Sequence, residues 1–307
     1  MNKAELSFAV VIPAHNSKEW ITFALNSVKS QTYQPQEVWV FNDRSDEVLQ
    51  LEHLQLDGLQ CYSVDFGNAA ATRNEILGKS SCDYLAFLDA DDIWYNNHLE
   101  RAALLLSQYP EAVGYLNYFD HLGLDGHIIE RKCPWDIPTK GMQMTDLMYL
   151  EFYKKYKYFT GMSACIIRKD RFEEVKGFDP TFKKRHDIEL WWRVIASKTC
   201  IVDPTKTSAY RKNVPGSVSS NAHLTEFYKL KGLLKNQDLF KNNRDFQRIL
   251  SEVSRSACHQ SILNGDKEFI QSVAALGYDY LNPKHKLLFQ TIGSYPKAYK
   301  FIYSMIN

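Results

Sequence analysis

The apolar positions of this chain fall into short runs that stop abruptly at polar turns. Phe8 to Ile12 is continuous, β-branched and closed by Pro13, as in a strand buried on both faces. Gln36 to Phe41, Leu59 to Val64, Asp83 to Leu88 and Ala112 to Tyr118 repeat the pattern, and Phe159 to Arg168 predicts a further strand. Between them apolar residues recur at helical spacing. Trp20, Phe23, Ala24 and Val28 follow a candidate cap at Asn16 or Ser17, and Asn68 to Leu77, Asn97 to Gln108 and Asp187 to Ser197 predict three more helices. Cys200 to Val202 and Thr207 to Tyr210 read as short extended pieces. This alternation predicts an α/β fold: a parallel sheet with helices on both faces.

Gly123 to Lys140 has no clear period and reads as a long loop or hairpin. Beyond Pro215-Gly216-Ser217 the pattern turns helical, near 224–240, 243–264, 266–277 and 284–304. The expected organisation is a first domain over 1–219 and a C-terminal helical region over 220–307.

Composition narrows the classes. The formal charge of the 307 residues is +1, which argues against a general nucleic-acid binder. Residues 221–307 nevertheless carry 12 basic and 7 acidic residues, so the tail is +5 and the remainder −4. No pair of the six cysteines forms a CxxC motif, which argues against a zinc cluster and for reduced thiols in a cytoplasmic setting. No run has the ~18–20 apolar residues of a membrane span, and the N-terminus does not read as a signal peptide.

In a parallel α/β sheet, ligands gather at the carboxyl ends of the strands. Those ends here carry Pro13, Ala14, His15 and Asn16, then Asp43, then Asp65, Gly67 and Asn68 with Arg73 beyond, then Asp89, Asp91 and Asp92. Clustered carboxylates repel unless a cation or donors compensate them. An oxygen-rich Asp89-x-Asp91 pair suits Mg²⁺ or Mn²⁺, which binds one or two carboxylates plus substrate phosphates. The competing reading makes Asp91 or Asp92 the cap of the next helix. Asp187 opens a helix, where the dipole favours its ionised form; it is a candidate general base or a simple N-cap, and Glu189 competes for the base role. Arg211 and Ser217, within YRKNVPGSVS, could grip phosphate oxygens or belong to a solvated linker. Trp94 and Trp135 are candidate stacking platforms for a ring-shaped ligand or core residues.

The stretches VVIPAHN, FNDRSD, GNAAATRNE, YLAFLDADDIW, FTGMSACIIRKDRFEEVKGFDP, HDIELWWR and YRKNVPGSVS, in this order over residues 8–219, resemble family 2 glycosyltransferases of the bacterial polysaccharide type. The resemblance implies a GT-A fold, a Rossmann-like mixed sheet flanked by helices. It also implies a nucleotide-sugar donor, Mn²⁺ or Mg²⁺, and inverting transfer to a glycan or lipid-linked acceptor. By position, Pro13, Ala14 and His15 would line the base pocket, Asp43 would accept from the base imide, and Arg73 would face base and diphosphate. Asp89 would bind ribose, Asp91 the metal, and Asp187 would be the base. Gly161 and Ser163 would lie on a strand beside the sugar, and Arg211 and Ser217 in a mobile loop closing over the diphosphate. Asn213 stands where the family often has a metal-binding His. UDP is the favoured carrier, although thymidine shares the imide edge and guanine offers N1–H.

Two other classes compete: a sugar-1-phosphate nucleotidyltransferase and a catalytically silent nucleotide-sugar-binding or scaffold subunit. The first would carry a glycine-rich basic loop where this chain reads PAHNSKEW; the second is disfavoured by the presence of both a candidate base and a candidate metal ligand. The C-terminal stripe of Phe289, Ile292, Tyr295, Tyr299, Ile302 and Tyr303 with its lysines fits three roles. These are an ordinary docked helix, a homodimer contact, and a peripheral contact with the cytoplasmic face of a membrane.

Overall fold

The computed structural model describes residues 5–156, 161–214, 222–283 and 285–287. The chain divides into two compact units, Met1–Thr181 with Leu190–Gly216, and Phe182–Glu189 with Ser217–Asn307.

The first unit is built on one mixed sheet. Strands β1 (Phe8–Ala14), β2 (Glu37–Asp43), β3 (Leu59–Val64) and β4 (Tyr84–Phe87) form its parallel half, in the order β3-β2-β1-β4. Beyond β4 the order continues through β9 (Cys165–Arg168), β6 (Ala112–Leu122), β10 (Thr199–Arg211) and the two-residue β5 (Ile93–Trp94). β9 runs antiparallel to both β4 and β6, while β6 and β10 are parallel. β7 (Ile128–Ile129) closes a hairpin on β6, and β8 (Met142–Thr145) pairs with β10. The wholly parallel sheet expected from the alternation is thus corrected to the mixed sheet that the family resemblance implied.

Both faces are covered. Phe8, Val10, Ile12 and Ala14 alternate onto one face and pack against α1 (Ile21–Lys29) and α3 (His98–Gln108). On the other, Phe87 stands 5.6 Å from Phe172 and 5.5 Å from Phe178. Gly114 on β6 lets Trp191 lie on the sheet, since a Cβ there would come within 2.7 Å of its indole. Trp94 and Trp135 are 2% and 6% exposed, so both belong to the core rather than to a sugar platform.

Two helices lie where no apolar period announced them: α4 (Asp146–Tyr156) and α5 (Lys169–Glu174). The expected cap of α1 is also corrected. The helix begins at Ile21 behind Trp20, with no side-chain cap, and Asn16 bonds to the next loop instead. The expected strand over 159–168 narrows to β9, preceded by a 3₁₀ turn at Met162–Ala164.

The second unit contains α7 (Ala222–Lys235), α8 (Arg244–Asn264) and α9 (Lys267–Gly277). Asn243 caps α8 by accepting from Phe246 N–H at 2.9 Å, and Gly265 ends it at φ 82°. Asp266 caps α9 through the N–H groups of Glu268 and Phe269. Leu230, Leu233, Phe246, Leu250, Ile262 and Val273 are buried among these helices. The last aromatic stripe, from Phe289 onward, lies outside the described residues. Among the described residues no helix is long and apolar enough to cross a membrane.

Candidate active site

The C-terminal ends of β1, β2 and β4 carry Pro13, Ala14, His15 and Asn16, then Asp43, then Asp89, Asp91 and Asp92, as singled out from sequence. The loops after β1 and β2 are stapled to each other. Asn16 N–H donates to Ser45 Oγ at 2.9 Å, and Asp46 N–H donates to Asn16 Oδ1 at 2.9 Å. His15 is exposed, with Nδ1 2.8 Å from the Asp43 carbonyl. A carbonyl only accepts, so Nδ1 carries the proton and this bond ties the ring to the end of β2.

Asp43 is 5% exposed and accepts from four protein donors. Phe66 N–H at 2.7 Å and Gly67 N–H at 2.9 Å reach Oδ1, while Asn68 N–H at 3.1 Å and Thr72 Oγ1 at 2.6 Å reach Oδ2. Burial works to raise this carboxyl, but the four hydrogen bonds outweigh it and hold it below its usual range. The carboxylate therefore organises residues 66–68, a task the motif did not reveal. Asn68 then caps the short helix α2 (Ala69–Asn74), accepting from Ala70 and Ala71 N–H. α2 presents Arg73, 4% exposed, which forms an ion pair with Asp89.

The acidic turn after β4 settles the capping question. α3 begins only at His98, and neither Asp91 nor Asp92 caps it. Asp92 is 1% exposed and accepts from Ser163 Oγ at 2.5 Å and from Arg211 N–H at 2.8 Å. Burial first, and then the charges of Asp91 and Asp89, push its carboxyl well up. Asp91 is different: among the described residues no side chain donates a hydrogen bond to its carboxylate. Burial and the Asp89 charge push it up to about 6. It is an undercompensated acid at the carboxyl end of β4, the kind of oxygen donor that a hard divalent cation fits. Among the described residues no group of three or more His, Cys, Asp or Glu could hold a metal. That leaves room for the mode in which one or two carboxylates share the ion with a phosphate.

Three placements differ from expectation. Arg211 is the last residue of β10 rather than part of a loop, and it is 3% exposed. Its Nε–H donates to the Asp91 carbonyl at 2.7 Å and Nη1–H to the Gly123 carbonyl at 2.7 Å, and it lies 4.3 Å over the Trp20 ring. Ser163 sits in the 3₁₀ turn, not on a strand, with its hydroxyl turned inward to Asp92. Gly161 precedes that turn at φ 85°, a conformation that favours glycine. Ser217 lies outside the described residues, and Asn213 is exposed at φ 62°.

In the second unit, Asp187 and Glu189 fall in the first turn of α6 (His186–Ile195). Glu189 is fully buried and accepts from Lys235 Nζ at 2.8 Å, which removes it as a base. Asp187 is partly exposed and accepts from the Ile188 N–H at 2.8 Å.

Comparison with known proteins places the chain among glycosyltransferases. The model of glycosyl transferase family 2 matches residues 9–174, more than half of the chain, and the chain belongs to that family. It is 27% identical over 218 residues to TuaG of Bacillus subtilis, a putative teichuronic acid biosynthesis glycosyltransferase, covering 69% of this chain and 81% of TuaG. It is 29% identical over 113 residues to WfgD of Escherichia coli, a UDP-Glc:α-D-GlcNAc-diphosphoundecaprenol β-1,3-glucosyltransferase. That match covers 36% of this chain and 45% of WfgD. Other curated relatives are spanned over as little as 33% of their length. The fold resembles S. aureus TarS 1–349 in complex with UDP-GlcNAc, with a TM-score of 0.67 at 18% identity, covering 96% of this chain and 88% of that one.

Proposed function

We propose that this protein transfers a sugar from a nucleotide diphosphate, UDP favoured, to a hydroxyl of a glycan or lipid-linked acceptor, with inversion. The observation that carries the reading is the Asp91 carboxylate, half-buried beside Asp89 and, among the described residues, without a side-chain donor, on the same strand edge as His15 and Asp43. The UDP-GlcNAc complex of TarS and the UDP-glucose donor in the name of WfgD support the choice of carrier.

In this reading His15, Pro13 and Ala14 hold the base, and Asp89, oriented by Arg73, takes the ribose hydroxyls. Asp91 holds Mn²⁺ or Mg²⁺, which when bound supplies positive charge to the leaving diphosphate. Asp187 accepts the acceptor hydroxyl proton as that oxygen bonds to the anomeric carbon. The bond from that carbon to the diphosphate oxygen breaks, and its electron pair leaves with the nucleotide. A single carboxylate base suffices, because a covalent route would require a second one as nucleophile.

The test is UDP release from a panel of UDP-sugars, with Mn²⁺ and with EDTA. Metal-dependent release from one of them supports the reading. Binding of UDP-sugars without release or transfer under any condition would point to the silent sugar-nucleotide-binding alternative.

A further inference from the structure

The acidic turn Asp89–Asp92 carries two partly exposed carboxylates, those of Asp89 and Asp91, yet its own backbone is held by buried residues. Asp92 N–H closes the turn on the Asp89 carbonyl at 3.0 Å. Asp89 N–H donates to Ser163 Oγ at 3.0 Å, and the same hydroxyl donates to Asp92 Oδ2 at 2.5 Å. The Asp91 carbonyl accepts from Arg211 Nε–H at 2.7 Å, and Asp92 Oδ1 accepts from Arg211 N–H at 2.8 Å. Every one of these polar contacts lies on the inner side of the turn, in residues 7% exposed or less apart from Asp89 and Asp91 themselves. Ser163 stands 71 residues beyond Asp92 and Arg211 a further 48, so two distant segments converge on the four residues of one turn.

We infer that Ser163 and Asp92 are positioning residues whose joint task is to fix the direction of the Asp91 carboxylate. The inference rests on the assignment of a cation to Asp91 and deepens it. The physical reason is electrostatic. Asp89 has Arg73 as its partner, but Asp91 has no side-chain donor among the described residues, so a loose turn would let its carboxylate swing away from the Asp89 charge or collapse onto a neighbour. The bridging hydroxyl prevents this by spending its one proton on Asp92 and its lone pair on Asp89 N–H. Asp92, buried and occupied at both oxygens, is then unable to compete for the cation. Ser163 accordingly touches neither sugar nor metal, and acts through the turn.

The experiment measures Mn²⁺ uptake by the full chain in saturating UDP, read from the free-ion electron paramagnetic resonance signal. Circular dichroism and metal-free UDP binding are followed in parallel. Ser163→Ala should keep its fold and its metal-free UDP affinity, and should bind Mn²⁺ about tenfold more weakly, the scale of outer-shell losses at metal sites. Ser163→Thr, which keeps the hydroxyl, should restore most of the affinity. Asp92→Asn gives a second route, because Arg211 N–H and the Ser163 proton go to different oxygens and a carboxamide replaces one of them by a donor; it too should weaken Mn²⁺ uptake. A folded Ser163→Ala or Asp92→Asn with wild-type Mn²⁺ affinity, lower unfolding midpoint or not, would reduce the contact to packing and overturn the inference. A wild-type protein that binds UDP but takes up no Mn²⁺ would overturn the metal assignment itself, and this inference with it.

Discussion

Arg211 holds its Nε–H 2.7 Å from the backbone carbonyl of Asp91, across 120 residues of sequence. The same guanidinium serves the Gly123 carbonyl and lies over Trp20. Lysine has no planar fork and cannot satisfy two carbonyls while stacking on an indole. Arg211→Lys should therefore lose about 2–3 kcal/mol of stability, the scale of charged hydrogen bonds left unmade. Urea unfolding checks this, and a loss indistinguishable from that of a surface Lys exchange would show that the latch carries little.

Asp43 offers the same kind of test on the nucleotide side. Its four donors need two full oxygens, and an amide supplies one. Asp43→Asn should cost about 2–3 kcal/mol and loosen residues 66–68, lowering UDP affinity as well as the melting temperature. Thr72→Val removes only one of the four and should cost about 1 kcal/mol. Melting curves of the two variants should keep that order.

The Asp91 carboxyl also sets a pH dependence. Its value is raised from 3.8 to about 6, so the folded chain binds a proton that the unfolded chain has released. The stability this contributes is complete below 3.8 and is lost as pH rises through 6. In metal-free buffer, Asp91→Asn should thus gain on the wild type between pH 5 and pH 7, measured by urea unfolding at both. A difference between the two proteins that does not change with pH would contradict the undercompensated site.

Asp187 and Glu189 separate by burial. Asp187→Asn keeps the shape and should leave donor affinity intact while transfer falls about 10²–10⁴-fold, the range for a general base. Glu189→Gln removes the charge that holds Lys235 and should lower stability instead. Comparing kcat with unfolding midpoint for the pair distinguishes the two tasks.

Much of this organisation was legible in the residues. β3 spans Leu59–Val64, as its apolar run predicted, and β1 and α8 lie within a few residues of expectation. Their signals are local: an apolar run closed by a turn, and a cap followed by a period and Gly265. The acids at the end of β4 were legible because a buried strand that ends in carboxylates is costly without a partner. What escaped was non-local. β9 pairs antiparallel between β4 and β6, and nothing in CIIR records its direction. The inward turn of Ser163 depends on Asp92, and the burial of Arg211 on Trp20 and Gly123. These are partnerships between distant segments, and the sequence pattern of each segment is that of an ordinary loop or strand end. Trp94 and Trp135 show the converse: the residue type permits a platform, and packing decided for the core.

The most direct measurement of the central claim is calorimetric titration of UDP into the full chain with Mn²⁺ and with EDTA, for the wild type and for Asp91→Ala. The account predicts tight binding by the wild type that depends on the metal, and no metal-dependent gain in the variant. Metal-dependent UDP binding of equal strength in both proteins would contradict it.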